Sequence, residues 1–97
     1  MQVNIVQEAN QWRVSGAILM DTANKLLLDS HALTIAANEH HVDFSNVTEV
    51  DTSAISLMME WQRRATAVNS KVRFSNLPAN LTSLAALYGV TDFIPLS

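Results

Sequence analysis

Apolar and polar positions alternate at the start of the chain, and the period of the alternation changes along its length. Val3 and Ile5 alternate with Gln2 and Asn4, which predicts a first strand. Glu8-Ala9-Asn10 is a polar break. Trp12 and Val14 then alternate with Arg13 and Ser15. The two runs read as a hairpin that ends at Gly16, where a glycine marks a bulge or a close backbone approach. Asp21-Thr22 is a helix-start signal. Beyond it Ala23, Leu26, Leu27, Leu33 and Ala37 fall on one face of a helix over 22–37. His41-Val42-Asp43-Phe44-Ser45 alternates again and predicts a central strand. A polar loop over 46–50 follows, with Val47 and Val50 tucked in.

The clearest helix opens after Asp51 and spans 52–68. At about 100° per residue, Ala54, Leu57, Met58, Trp61, Ala65 and Val68 share one arc. Ser53, Ser56, Glu60 and Arg63 share the opposite arc, and Ile55 and Met59 sit on the flank beyond the core stripe. Val72 and Phe74 alternate with Lys71, Arg73 and Ser75 in another strand, closed by Leu77-Pro78. Leu81, Leu84, Leu87 and Tyr88 form a last amphipathic helix stopped by Gly89. Val90, Phe93, Ile94 and Leu96 pack the tail. Strands that alternate with helices imply an α/β fold with right-handed crossovers and a mostly parallel sheet.

Composition narrows the class. The 97 residues are 48% hydrophobic and 15% charged, enough for one cored domain and unlike a disordered chain. Six Lys/Arg against nine Asp/Glu leave a net charge of −3, and Arg63-Arg64 is the only adjacent basic pair, which argues against nucleic acid. The absence of cysteine excludes a disulfide scaffold and thiolate chemistry. No apolar run reaches the ~20 residues of a membrane span, so direct membrane insertion is not expected. Met1-Gln2-Val3-Asn4 lacks the basic start and apolar core of a signal peptide, so the chain is expected to stay where it is made.

Catalytic signals are weak. The two glycines, Gly16 and Gly89, are far apart and build no phosphate loop, and no Gly-x-Ser-x-Gly elbow exists. His40 and His41 are adjacent on a strand and point to opposite faces, so no metal site is expected from them. No cofactor is implied. Asp43 reads as a turn cap or a solvent-facing acid beside the central strand, and Arg63 and Arg64 as part of a solvated face. The strongest local feature is Asp51-Thr52-Ser53-Ala54, where three side-chain oxygens meet a helix start. One of them suffices as a cap, so two hydroxyl or carboxyl groups are left over for a contact or a modification. A phosphate on Thr52 or Ser53 is tolerated at a helix N-terminus.

The run His41-Val42-Asp43-Phe44-Ser45-Asn46-Val47-Thr48-Glu49-Val50-Asp51-Thr52-Ser53-Ala54 resembles the central segment of STAS domains, the sulfate-transporter and anti-sigma-factor-antagonist modules. Trp12-Arg13-Val14-Ser15-Gly16 with Leu19 is similar to that family's early strand. Phe74-Ser75-Asn76-Leu77-Pro78 with Leu84, Leu87, Gly89 and Phe93 is similar to its last strand and helix. Ala54 stands where the family usually has Gly. The resemblance implies a single STAS domain over 1–97, with a four- to five-stranded mixed, mostly parallel sheet packed against three to four helices.

Within the family, the early Trp12 strand and the Trp61-Gln62-Arg63-Arg64-Ala65 run resemble the small stand-alone subunit of a bacterial phospholipid-transport ABC complex that maintains outer-membrane lipid asymmetry. That likeness implies a non-catalytic cytoplasmic protein. Its expected partner is the ABC transporter ATPase, in a complex with a membrane permease at the inner face of the inner membrane. The anti-sigma-factor-antagonist branch implies instead a phospho-switch at Ser53. A nucleotide- or small-molecule-binding STAS module is a third reading. On either of the first two, Asp51, Thr52, Ser53, Ile55, Ser56 and Met59 are expected to form the partner face, with Arg63 at its rim. An apolar patch beside polar groups is what a protein contact needs.

Overall fold

The computed structural model describes residues 3–9 and 11–89. The elements run β1 (Asn4–Glu8), β2 (Gln11–Ile18), α1 (Ala23–Ser30), β3 (Glu39–Val50), α2 (Thr52–Ala67), β4 (Lys71–Ser75) and α3 (Ala79–Leu87). They form a four-stranded sheet in the order β1-β2-β3-β4. The β1–β2 hairpin is antiparallel, whereas β2–β3 and β3–β4 are parallel, each joined by a helical crossover. This is the α/β architecture that the order of elements predicts.

The period of two sorts the sheet into a dry face and a wet one. Ile5, Trp12, Val14, Ile18, Val42, Phe44, Val72 and Phe74 are buried on the side that receives the helices. From α2 they meet Ala54, Leu57, Met58, Trp61 and Ala65, all 4% exposed or less. α1 adds Leu26, and α3 adds Leu81 and Ala85. The other face carries ion pairs. Arg13 bridges Glu8 at 3.2 Å and Asp43 at 3.5 Å, and Arg73 holds Glu39 at 3.2 Å.

Several expectations change. The first helix ends at Ser30, short of Ala37. Ser30 Oγ–H donates back to Leu27 O at 2.7 Å, and single turns then run His31 N–H to Leu28 O and Leu33 N–H to Ser30 O. Leu33 and Ile35 pack against the core from irregular chain instead. The central strand continues to Val50 where a loop was expected after Ser45. Register shifts against β2 between Arg13 and Ser15, and between Gly16 and Ala17, let pairing resume at Asn46, Val47, Glu49 and Val50. Gly16 has φ +94°, so the glycine does mark an irregularity in the ladder.

Val68 is 57% exposed because α2 stops at Ala67 and the next residue leaves the arc. Leu87 and Tyr88 are 76% and 58% exposed and do not join the core. Leu87 lies off the Leu81–Ala85 arc, and Tyr88 is already beyond the helix. Arg64 turns inward from the expected solvated face. Its guanidinium lies over the Trp12 ring at 5.8 Å and donates to Ser30 Oγ at 3.0 Å. The tail expected to pack through Val90, Phe93, Ile94 and Leu96 lies outside the described residues.

His40 and His41 point to opposite faces, as adjacent strand residues must. His40 is buried, its ring edge-on to Trp12 at 4.4 Å. His41 Nε2 lies 3.0 Å from Glu39 on the wet face. Asp43 is 7% exposed and acts as a clasp rather than facing solvent. It accepts from Ser45 N–H, Ser45 Oγ–H and Asn76 Nδ2–H, stitching β3 to the chain after β4. Burial pushes its pKa up, but these hydrogen bonds and Arg13 outweigh burial and hold it below the usual carboxylate value.

Candidate functional site

The site is built where β3 hands the chain to α2. Asp51 is extended at φ −129°, ψ −167°, and its Oδ1 accepts Ser53 N–H at 2.8 Å, the bond of an N-cap. Its Oδ2 accepts Met20 N–H at 3.0 Å from the turn after β2. One carboxylate therefore closes the helix start and ties it to the neighbouring turn. Burial raises the Asp51 pKa, while the Ser53 amide and hydroxyl and the Met20 amide lower it by more, so the group stays ionised.

With Asp51 as the cap, Thr52 is released. It is exposed, and its hydroxyl has no hydrogen-bond partner among the described residues. Ser53 is half-buried beside Asp51. Thr52 stands between two clefts. One, of about 540 Å³, is lined by Met20, Thr52, Ser53, Ile55, Ser56 and Tyr88. The other, of about 510 Å³, runs between Val50, Asp51, Thr52 and the α3 residues Asn80, Ser83, Leu84 and Leu87.

The structure gathers most of the expected face and divides the rest. Asp51, Thr52, Ser53 and Ser56 lie together at the start of α2. Ile55 is only 6% exposed, so it belongs to the core and offers the cleft its edge alone; this corrects its place on the flank. Met59 is 42% exposed and lines a separate shallow hollow with Ser56, Glu60, Gln62 and Arg63. Arg63 is exposed and paired with Glu60, which holds the glutamate pKa down.

Sequence reasoning missed the apolar part of the site. Met20, Leu87 and Tyr88 are 80%, 76% and 58% exposed around Thr52. The signal for Leu87 was its position off the Leu81–Ala85 arc. Met20 carried none, because a single apolar residue in a turn has no period.

Among the described residues, no three His, Asp or Glu side chains converge to hold a metal ion, and no helix is long and apolar enough to cross a membrane.

A solved structure of the anti-sigma factor antagonist SpoIIAA in its unphosphorylated form is similar over 98% of this chain and 86% of that one, with TM-score 0.68 and 12% identity. The shared feature is the fold. An uncharacterized protein of the DUF3478 family with a SpoIIAA-like fold, from Shewanella loihica PV-4, matches over 98% of this chain and 80% of that one, with 14% identity and TM-score 0.44. No curated protein matches the sequence. The family model described as "Mlab, STAS domain" matches residues 1–96, and the chain belongs to that family of STAS domains.

Proposed function

We propose that this chain is a non-catalytic subunit that binds the ATPase of an ABC phospholipid transporter and regulates or stabilises it. The complex would include a membrane permease and maintain outer-membrane lipid asymmetry. This chain would sit in the cytoplasm, held at the inner membrane through its partner.

The observation that carries the reading is the state of Thr52. Its hydroxyl is free of the cap, exposed, and flanked by Met20, Tyr88 and Leu87. A free hydroxyl beside exposed apolar side chains suits a protein contact. Membership of the MlaB-type family supplies the choice of partner.

The second reading, an anti-sigma-factor antagonist phosphorylated at Ser53, draws on the SpoIIAA-like fold. Ser53 is less available than Thr52, being half-buried with its amide committed to Asp51.

The test is affinity capture of the tagged chain from cell extract, beside a Thr52→Glu variant, with the bound proteins identified by mass spectrometry. An ABC ATPase and its permease should be recovered with the wild type and lost with Thr52→Glu. Recovery of a kinase, with a phosphate mass shift on Ser53, would replace this reading by the second.

A further inference from the structure

Charge is sorted unevenly over the molecule. Glu8 and Asp43 are paired with Arg13, Asp29 with Lys25, Glu39 with Arg73, and Glu60 with Arg63. Asp21, Glu49 and Asp51 have no cationic partner among the described residues. All three lie at one end of the sheet. Asp21 follows Met20 in the turn after β2, Glu49 pairs with Ala17 at the end of β3, and Asp51 opens α2. The segments that build this end, 16–22, 47–56 and 79–89, contain no Lys, Arg or His. Met20 and Leu87, the two most exposed large apolar side chains of the described residues, project from the same end.

We propose that this end docks a basic partner surface, one with Lys or Arg side chains flanking an apolar recess that receives Met20 and Leu87. The inference rests on the proposed function and adds the chemistry of the partner. An acidic or neutral surface would bury Asp21 and Glu49 with nothing to compensate them and add a like or uncompensated charge beside the capping Asp51. A second copy of this chain fits poorly, because a two-fold contact would set Asp21, Glu49 and Asp51 against the same residues of the other copy. The apolar side chains supply the dry centre, and the carboxylates supply steering and orientation.

The experiment measures binding kinetics of the chain on the immobilised ATPase, from about 30 mM to about 500 mM salt, a range over which exposed charges become screened. The Asp21→Asn/Glu49→Gln double variant is run alongside; both positions are exposed, and its fold is checked by its melting curve. Asp51 is left intact because it caps α2. The wild-type association rate should fall about tenfold across the salt range, and the double variant should lose most of that dependence. Met20→Ser should leave the association rate and raise the dissociation rate several-fold.

If the ATPase binds the wild type and rejects Thr52→Glu, yet association ignores both salt and the double variant, the basic-surface inference fails and the proposed function stands. If no ATPase binds at any salt, both fail. A dimer of the isolated chain that Met20→Ser disperses would also overturn the inference.

Discussion

Ser30 and Trp61 meet inside the core, where the indole Nε1–H donates to Ser30 Oγ at 2.9 Å and ties the end of α1 to the middle of α2. The same oxygen accepts from Arg64 at 3.0 Å and gives its own proton to Leu27 O. The hydroxyl is thus fully used as donor and acceptor. Ser30→Ala strands a buried indole N–H and loosens a guanidinium, at a cost of about 1–3 kcal/mol. Each kcal/mol lowers Tm by about 4–8 °C in a domain this small. Thermal melting by circular dichroism checks it; an unchanged Tm would show that the hydroxyl only fills space.

His40 makes stability depend on pH. Its Nδ1 accepts Ala36 N–H at 3.1 Å, and its Nε2 is buried without a partner among the described residues. Burial, then the charges of His41 and Arg64, lower its pKa to about 4 from 6.5. The unfolded chain therefore binds a proton below about pH 6.5 that the folded chain refuses until about pH 4. Stability from this group is complete above the upper value, falls between the two and levels off below the lower, a total of about 3 kcal/mol. His40→Gln does not titrate, so its urea midpoint should be much flatter over that window. Parallel slopes for variant and wild type would refute the assignment.

Asp51 and Thr52 are neighbours with separable roles. Asp51→Ala removes the cap and the Met20 tether, and should cost about 1–2 kcal/mol of stability. Thr52→Ala removes a hydroxyl with no hydrogen-bond partner among the described residues and should leave Tm nearly unchanged, its effect showing only in partner capture. The depressed Asp51 pKa means that its contribution is present at neutral pH and lost as pH falls below the ordinary aspartate value. Urea titrations of both variants at neutral and acid pH measure the difference.

Gly16 and Gly89 both have positive φ, at +94° and +67°. Gly16 is buried within the β2 ladder, so Gly16→Ala should cost about 1–3 kcal/mol in backbone strain. Gly89 follows α3, with nothing among the described residues within 4 Å of an added Cβ. Gly89→Asn should therefore be nearly neutral, since Asn tolerates the left-handed conformation. Chemical denaturation of the two variants ranks them, and an equal loss would contradict the distinction.

The sequence was most legible where burial is periodic. Trp12/Val14, Val42/Phe44, Val72/Phe74 and the Ala54–Ala65 stripe of α2 all face the core, and the strand–helix order follows from them. It was least legible where non-local pairing overrides local pattern. Residues 46–50 read as a loop because they are polar, and only the β2 partner with its bulge makes them strand. Leu33 and Ala37 kept helical spacing past Ser30, where the chain had already turned away. At the site, the capping chemistry of Asp51 is a local signal, and so was readable. The gathering of Met20 and Tyr88 around Thr52 depends on segments far apart in sequence and was not.

The aromatic residues are divided between interior and surface, and that division gives the molecule two optical channels. Its two tryptophans, Trp12 and Trp61, are 1% exposed with ring centroids 5.6 Å apart, while its one tyrosine, Tyr88, is 58% exposed beside Thr52. Emission excited selectively at the indoles reports the integrity of the interior and is blind to events at the tip of α2. The phenol absorbs beneath the stronger indole band, but a difference spectrum separates its perturbation, which reports that tip. A ligand that alters the tyrosine difference spectrum without moving the indole emission has occupied the end of the sheet and left the interior untouched.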